Sequence, residues 1–154
     1  MWGVMSSGSE VDENKRVVRR YYDDVLVGRN LAALDDLFTP DFVGHSAAYG
    51  DFTLADVRDT IAREFEDMPA DETIIEEQVA EGDRVVTRFR YRWRHDSPVF
   101  GEQPTGQWLT MEGVQIDRVV GGKIAERWVI KDFWGVITHL GGKATFPVGG
   151  QSGE

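Results

Sequence analysis

Cysteine is absent from the 154-residue sequence, which excludes disulfides, thiolate nucleophiles and thiolate metal ligands together. Histidine is scarce. His45, His95 and His139 have none of the short spacings of a zinc motif, so no metal site is expected. Basic charge is in short supply too, with 17 Lys+Arg against 27 Asp+Glu and a formal net charge of -10. A polyanion would meet repulsion over most of such a surface, so nucleic acid is not an expected partner. No apolar run approaches the roughly 20 residues needed to cross a bilayer, so no membrane partner is expected. The opening MWGVMSSGSE lacks the basic start and long apolar centre of a signal peptide, and a cytoplasmic location is expected. No glycine-rich phosphate fingerprint precedes a helix, and Ser6, Ser7, Ser9 and Ser46 stand outside any nucleophile-elbow context.

What is present is a change of period. Asp12 is positioned to cap a helix with an apolar stripe of Val18, Tyr21, Tyr22, Val25 and Leu26, which Gly28 stops. Asn30 can cap a second helix carrying Leu31, Leu34, Leu37 and Phe38, ended by Pro40. Asp41 to Ala47 reads as a short extended segment holding His45. Thr53 and Asp56 form a capping box for a third helix with inner face Leu54, Val57, Ile61 and Phe65, closed by Met68-Pro69. Alternation then takes over in Thr73–Ala80, Val85–His95, Trp108–Val120 and Lys123–Asp132. Helices followed by an antiparallel meander define an α+β fold. Residues 1–11 are expected to form a flexible leader, 12–141 a single domain, and 142–154 a disordered tail.

Two strands carry the functional reading. Val85, Thr87, Phe89, Tyr91, Trp93 and His95 share one face, and Val86, Arg88, Arg90, Arg92 and Arg94 share the other. The first row predicts an aromatic inner wall ending in a proton-exchanging ring. The arginine row suits a solvated face, acidic partners on a neighbouring strand, or a homodimer formed through the sheet. For the last hairpin, Gly121-Gly122 predicts a two-residue turn with Val120 opposite Lys123. Unbroken register then sets Asp117 against Glu126, Gln115 against Trp128, Gly113 against Ile130 and Met111 against Asp132, all on the inner face. A carboxylate at Asp132, desolvated against Met111 and Trp128, suits proton transfer near neutral pH.

The segments KRVVRRYYDDVLVGRNLAALDDLFTPDFVGH and PTGQWLTMEGVQIDRVVGGKIAERWVIKDFWGVITHLGG carry further marks. These are Tyr21-Tyr22, the run Leu37 to His45, Pro104-Thr105-Gly106, Gly122-Lys123-Ile124, Glu126-Arg127-Trp128 and Asp132. Over about residues 13–141 the pattern resembles the SnoaL-like polyketide cyclases of the NTF2-like superfamily. The resemblance implies a curved sheet wrapped around N-terminal helices to enclose a pocket. It also implies cofactor-free ring closure or isomerisation of an apolar, oxygenated small molecule by acid/base chemistry. On that reading Asp132, His95 and His45 are the expected catalytic groups. Tyr22, Phe89, Tyr91, Trp93, Met111, Gln115 and Trp128 are the expected substrate-binding residues. Two departures stand out: Gln115 replaces a frequent Asp or His, and Arg127 replaces a usual His. The same fold also hosts non-catalytic ligand binders, epoxide hydrolases and shape-driven pericyclic cyclases.

Overall fold

The computed structural model describes residues 7–67 and 72–143. Met68-Pro69, the first six residues and the tail beyond Lys143 lie outside the described residues. Helix α1 (Ser7–Arg20) is already formed at Ser7, so Asp12 lies within it instead of capping it. It runs on without a break into a π-helical segment, Tyr21–Val27. There the wider turn brings the adjacent pair Tyr21 and Tyr22 into the core together with Val25. Gly28 ends the segment by donating its N–H to the Asp23 carbonyl at 2.9 Å. A short α2 (Ala33–Leu37) follows and leads into strand β1 (Phe38–Ser46).

Strand β2 (Gly50–Thr53), which no alternation announced, pairs back on β1. Helix α3 (Leu54–Asp67) then starts as the capping box requires. The Thr53 N–H donates to Asp56 at 2.8 Å, and the Asp56 N–H donates to the Thr53 hydroxyl at 3.3 Å. Strands β3 (Glu72–Glu81), β4 (Arg84–Arg94), β5 (Trp108–Val120) and β6 (Lys123–Lys131) complete the sheet, and α4 (Phe133–His139) closes the described chain. The sheet order is β2-β1-β6-β5-β4-β3. It is antiparallel except for the parallel pair β1–β6, which joins the helical half of the sequence to the meander. This is the α+β cone that the sequence predicts, with one parallel seam that alternation alone does not reveal.

Strand β4 sorts its faces as its sequence does. Val85, Thr87, Phe89, Trp93 and the following His95 are buried. The arginines of the other face meet acids of the strand beside them, with Arg90 2.9 Å from Glu76, Arg92 3.8 Å from Glu72 and Arg88 3.9 Å from Glu77. Helices and inner sheet face share a core of Val18, Tyr22, Leu34, Phe38, Phe89 and Ile124. Each such side chain contributes about 1.5–3 kcal/mol by leaving water. Trp93, Val99, Leu109, Met111 and Val136 form a second, separate cluster.

Strand β6 departs from the unbroken register. The turn is as expected, with Val120 opposite Lys123 and Val119 opposite Ile124, but Arg118 then faces Glu126, leaving Ala125 as an extra residue. Two residues now oppose one, and every later side chain of β6 changes face. Asp117 therefore faces Arg127, Gln115 faces Val129 and Gly113 faces Lys131. Trp128 and Ile130, expected inside, lie on the outer face, where Ile130 is 72% exposed. Asp132, expected to point inward at Met111, is exposed and caps α4 by accepting from the Gly135 N–H at 2.8 Å.

Candidate active site

Between α3, the π-helical segment and the inner face of β4–β6 lies a cavity of about 640 Å³. Its walls come from Tyr91 and Trp93 of β4 and Met111 of β5, which alternation places inward, from Val57 and Ile61 on the inner stripe of α3, and from Val129 of β6, which the bulge turns inward. The bulge supplies its polar end. Asp117 is fully buried and Arg127 is 4% exposed, the two paired across β5 and β6. The Arg127 Nε donates to Asp117 Oδ1 at 2.7 Å, and Nη2 donates to Oδ2 at 3.4 Å. Gln115 Nε2 donates to the same Oδ2 at 2.7 Å. The guanidinium lies 4.2 Å from the centre of the Tyr21 ring and 5.3 Å from that of Phe38.

Charge is fixed at this end. Burial works against the guanidinium, but the Asp117 carboxylate and the neighbouring Tyr21 outweigh it and hold Arg127 above its ordinary pKa. Burial also raises the Tyr21 hydroxyl, opposed by Arg127, and raises Tyr91 far more. Both stay neutral donors at physiological pH. Asp117 is absent from the cavity surface, whereas Gln115, Arg127 and Tyr21 reach it. A guanidinium has five N–H donors, and those not engaged by Asp117 or the Tyr21 hydroxyl are the ones left for a ligand. Lys131, also on the lining, follows Arg127 by four residues on the same face, about 13 Å along the strand.

The expected site residues are not assembled in one place. Tyr91, Trp93, Met111 and Gln115 line the cavity. Tyr22 and Phe89 lie in the core behind it, their rings 6.0 Å apart, and the Tyr22 hydroxyl has no hydrogen-bond partner among the described residues. His95 is buried beside the second cluster, its Nδ1 2.9 Å from the Thr105 hydroxyl, and it does not line the cavity. His45 sits on the outer face, stacked at 5.3 Å on Trp128, with Nδ1 2.8 Å from Asp51 and Nε2 3.0 Å from Glu126. Hydrogen bonds to Asp51 and then Glu126 raise the His45 pKa. None of His45, His95 and Asp132 is in contact with the main cavity. Tyr21, Glu64, Arg127 and Lys131 line it without having been singled out as site residues. Glu64 was legible, since it falls one helical step beyond Ile61 on the inner face of α3. Arg127 was not, because its orientation depends on the bulge.

The architecture is that of an NTF2-like cone with a deep, mostly apolar hollow. A match to the SnoaL-like polyketide cyclase family extends over residues 16–140, and the chain belongs to that family. Among solved structures it is similar to AclR of Streptomyces galilaeus, at 24% identity over 89% of this chain and 90% of that one, with a TM-score of 0.77. It is also similar to IdmH of Streptomyces antibioticus, described as a candidate polyketide cyclase, at 25% identity over 84% and 99% with a TM-score of 0.74. An LEH-like epoxide hydrolase of M. tuberculosis shares the fold at 15% identity over 85% and 91%, with a TM-score of 0.67. No curated protein matches the sequence. Among the described residues no helix is long and apolar enough to cross a membrane.

Proposed function

We propose that the protein is a cofactor-free cyclase or isomerase acting on an apolar, oxygenated, polyketide-like small molecule held in this cavity. The observation that carries the reading is the Arg127–Gln115–Tyr21 end of a hollow whose inner sheet wall is otherwise aromatic and aliphatic, with acids and Lys131 elsewhere on its lining. A ligand carbonyl seated there accepts from the guanidinium and the amide, so negative charge developing on its oxygen is stabilised by donors already in position. A single donor of this kind is worth about 10²–10³ in rate. The apolar walls fold a flexible chain toward its reactive conformer, which removes part of the entropic barrier to ring closure. Asp117 acts from behind by holding the guanidinium in one orientation.

The test is incubation with a linear aromatic polyketone and mass-spectrometric detection of the ring-closed isomer or its dehydration product. Gln115→Leu and Met111→Trp should each lower the yield at least tenfold, one by removing a donor and the other by filling the hollow. Product formation unaffected by both would refute the reading. A ligand carrier is the second reading, favoured by the absence of His45, His95 and Asp132 from the cavity wall. It predicts tight ligand binding with no product.

A further part of the proposal is a homodimer formed through the outer sheet face. Val114 pairs with Ile130 and Ile116 with Trp128 there, giving an apolar stripe beside the arginine row. A second copy of this chain is the proposed cover, because the stripe repeats across two strands and is flanked by charges already paired within the subunit. Sedimentation velocity should show a dimer that Ile130→Lys converts to monomer. A monomeric wild-type protein would remove this part.

A further inference from the structure

We infer that Glu64 is the group that takes and returns the proton in this cavity; the inference rests on the proposed reading of the cavity as a reaction site. Val57 and Ile61 are the buried positions of α3, and Glu64 lies on the same stripe, seven and three residues further on. Beside the main cavity lies a smaller recess of about 90 Å³, lined in part by Leu26, Val27 and Phe65. Glu64, Tyr91, Trp93 and Met111 line both spaces, so this carboxylate stands where the two meet.

The other acids of the wall have other roles or positions. Asp51 is tied to His45 at 2.8 Å. Asp56 accepts from the Thr53 N–H and hydroxyl, both at 2.8 Å, to cap α3. Asp67 is exposed at the end of α3. Glu64 is only partly exposed and makes no hydrogen bond or ion pair among the described residues. Its charge is felt by Tyr21, Tyr49 and Tyr91 around the hollow. A carboxylate without a partner among the described residues thus shares one cavity with a fixed cation, a pairing suited to enolisation.

The step is balanced within the site. The C–H bond next to a ligand carbonyl breaks and its proton passes to the Glu64 carboxylate. The electron pair moves onto the carbonyl oxygen against Arg127 and Gln115. The enolate carbon then bonds to a second carbonyl carbon of the same molecule, and the resulting alkoxide takes the proton back from Glu64. Isomerisation uses the same first transfer, with the proton returned at a different carbon.

The experiment uses 2-tetralone, a bicyclic ketone with acidic protons beside its carbonyl, as a probe of both binding and proton transfer. Calorimetry reads binding to the full chain, and proton NMR in D2O reads exchange above the buffer rate. Glu64→Gln keeps the shape and removes the titrating group, so exchange should fall by about 100-fold or more with affinity changed less than about twofold. Glu64→Asp should recover part of the exchange, which a purely structural role would not produce. Equal exchange by wild type and Glu64→Gln would overturn the inference. So would wild-type protein that binds tetralone through Arg127 and Gln115 but exchanges nothing, although the cavity would still stand as a binding site. Failure of wild type to bind the probe would count against both readings.

Discussion

Strands β4 and β6 both flank β5, yet one can be oriented from its sequence and the other cannot. From Arg84 to Arg94, β4 pairs with β5 without interruption, and its aromatic row lies inside where the alternation puts it. In β6 the same period-two logic, run from the same kind of tight turn, yields the opposite face beyond Glu126. The difference is Ala125, one inserted residue with no side chain large enough to betray its position. Period two shows that a strand has two faces; only continuity of pairing shows which one looks inward. The bulge turns Arg127 inward and moves Trp128 and Ile130 to the surface, so it creates the polar end of the cavity and the outer apolar stripe together.

The most direct way to break this comparison, and the one with the largest expected effect, is Arg127→Met, which keeps bulk but strands the Asp117 charge. It should cost about 3–5 kcal/mol, or about 6–20 °C in Tm. The double variant Arg127→Met/Asp117→Leu should recover most of that loss, and no recovery would mean that Arg127 acts mainly by packing against Tyr21 and Phe38. Gly113→Ala probes the well-registered side. A Cβ there would collide with the Phe89 ring and lie 2.8 Å from the Ile130 carbonyl oxygen, so a loss of about 1–3 kcal/mol is expected in urea unfolding.

The smallest effect concerns the outer face. The raised His45 pKa stabilises the fold below about pH 6.5, a contribution lost as pH climbs through the raised value. The Glu126 pKa is lowered, by its hydrogen bond to His45 and then by Arg118. Its contribution is present above about pH 4.5 and lost as pH falls through the lowered value. The pair therefore helps most between those limits. His45→Gln should narrow the Tm difference between pH 5.5 and pH 8, and an unchanged difference would show that the pair adds nothing measurable.

Much of the fold was legible because its signals are local. The Thr53/Asp56 box, the stop at Gly28, the Gly121-Gly122 turn and the faces of β4 each depend on residues close in sequence. What stayed hidden was relational. The parallel seam between β1 and β6 joins segments some 80 residues apart, and β2 has only four residues in which to show a pattern. For the site, alternation identified Tyr91, Trp93, Met111 and Gln115 as inward residues. Asp132, His45 and Trp128 were assigned from a register or motif position that the bulge and the strand edge override. The Asp117–Arg127 pair becomes visible only once that register is known.

A guanidinium at a position where the family resemblance implies an imidazole has one more consequence. An imidazole would switch its attraction for oxygen on and off across the range of acidity around neutrality. Arg127 has no such switch, so the positive charge at the inner end of the hollow stays in place in sour and alkaline surroundings alike. Any sensitivity to acidity must come from the carboxylates along the walls and rim.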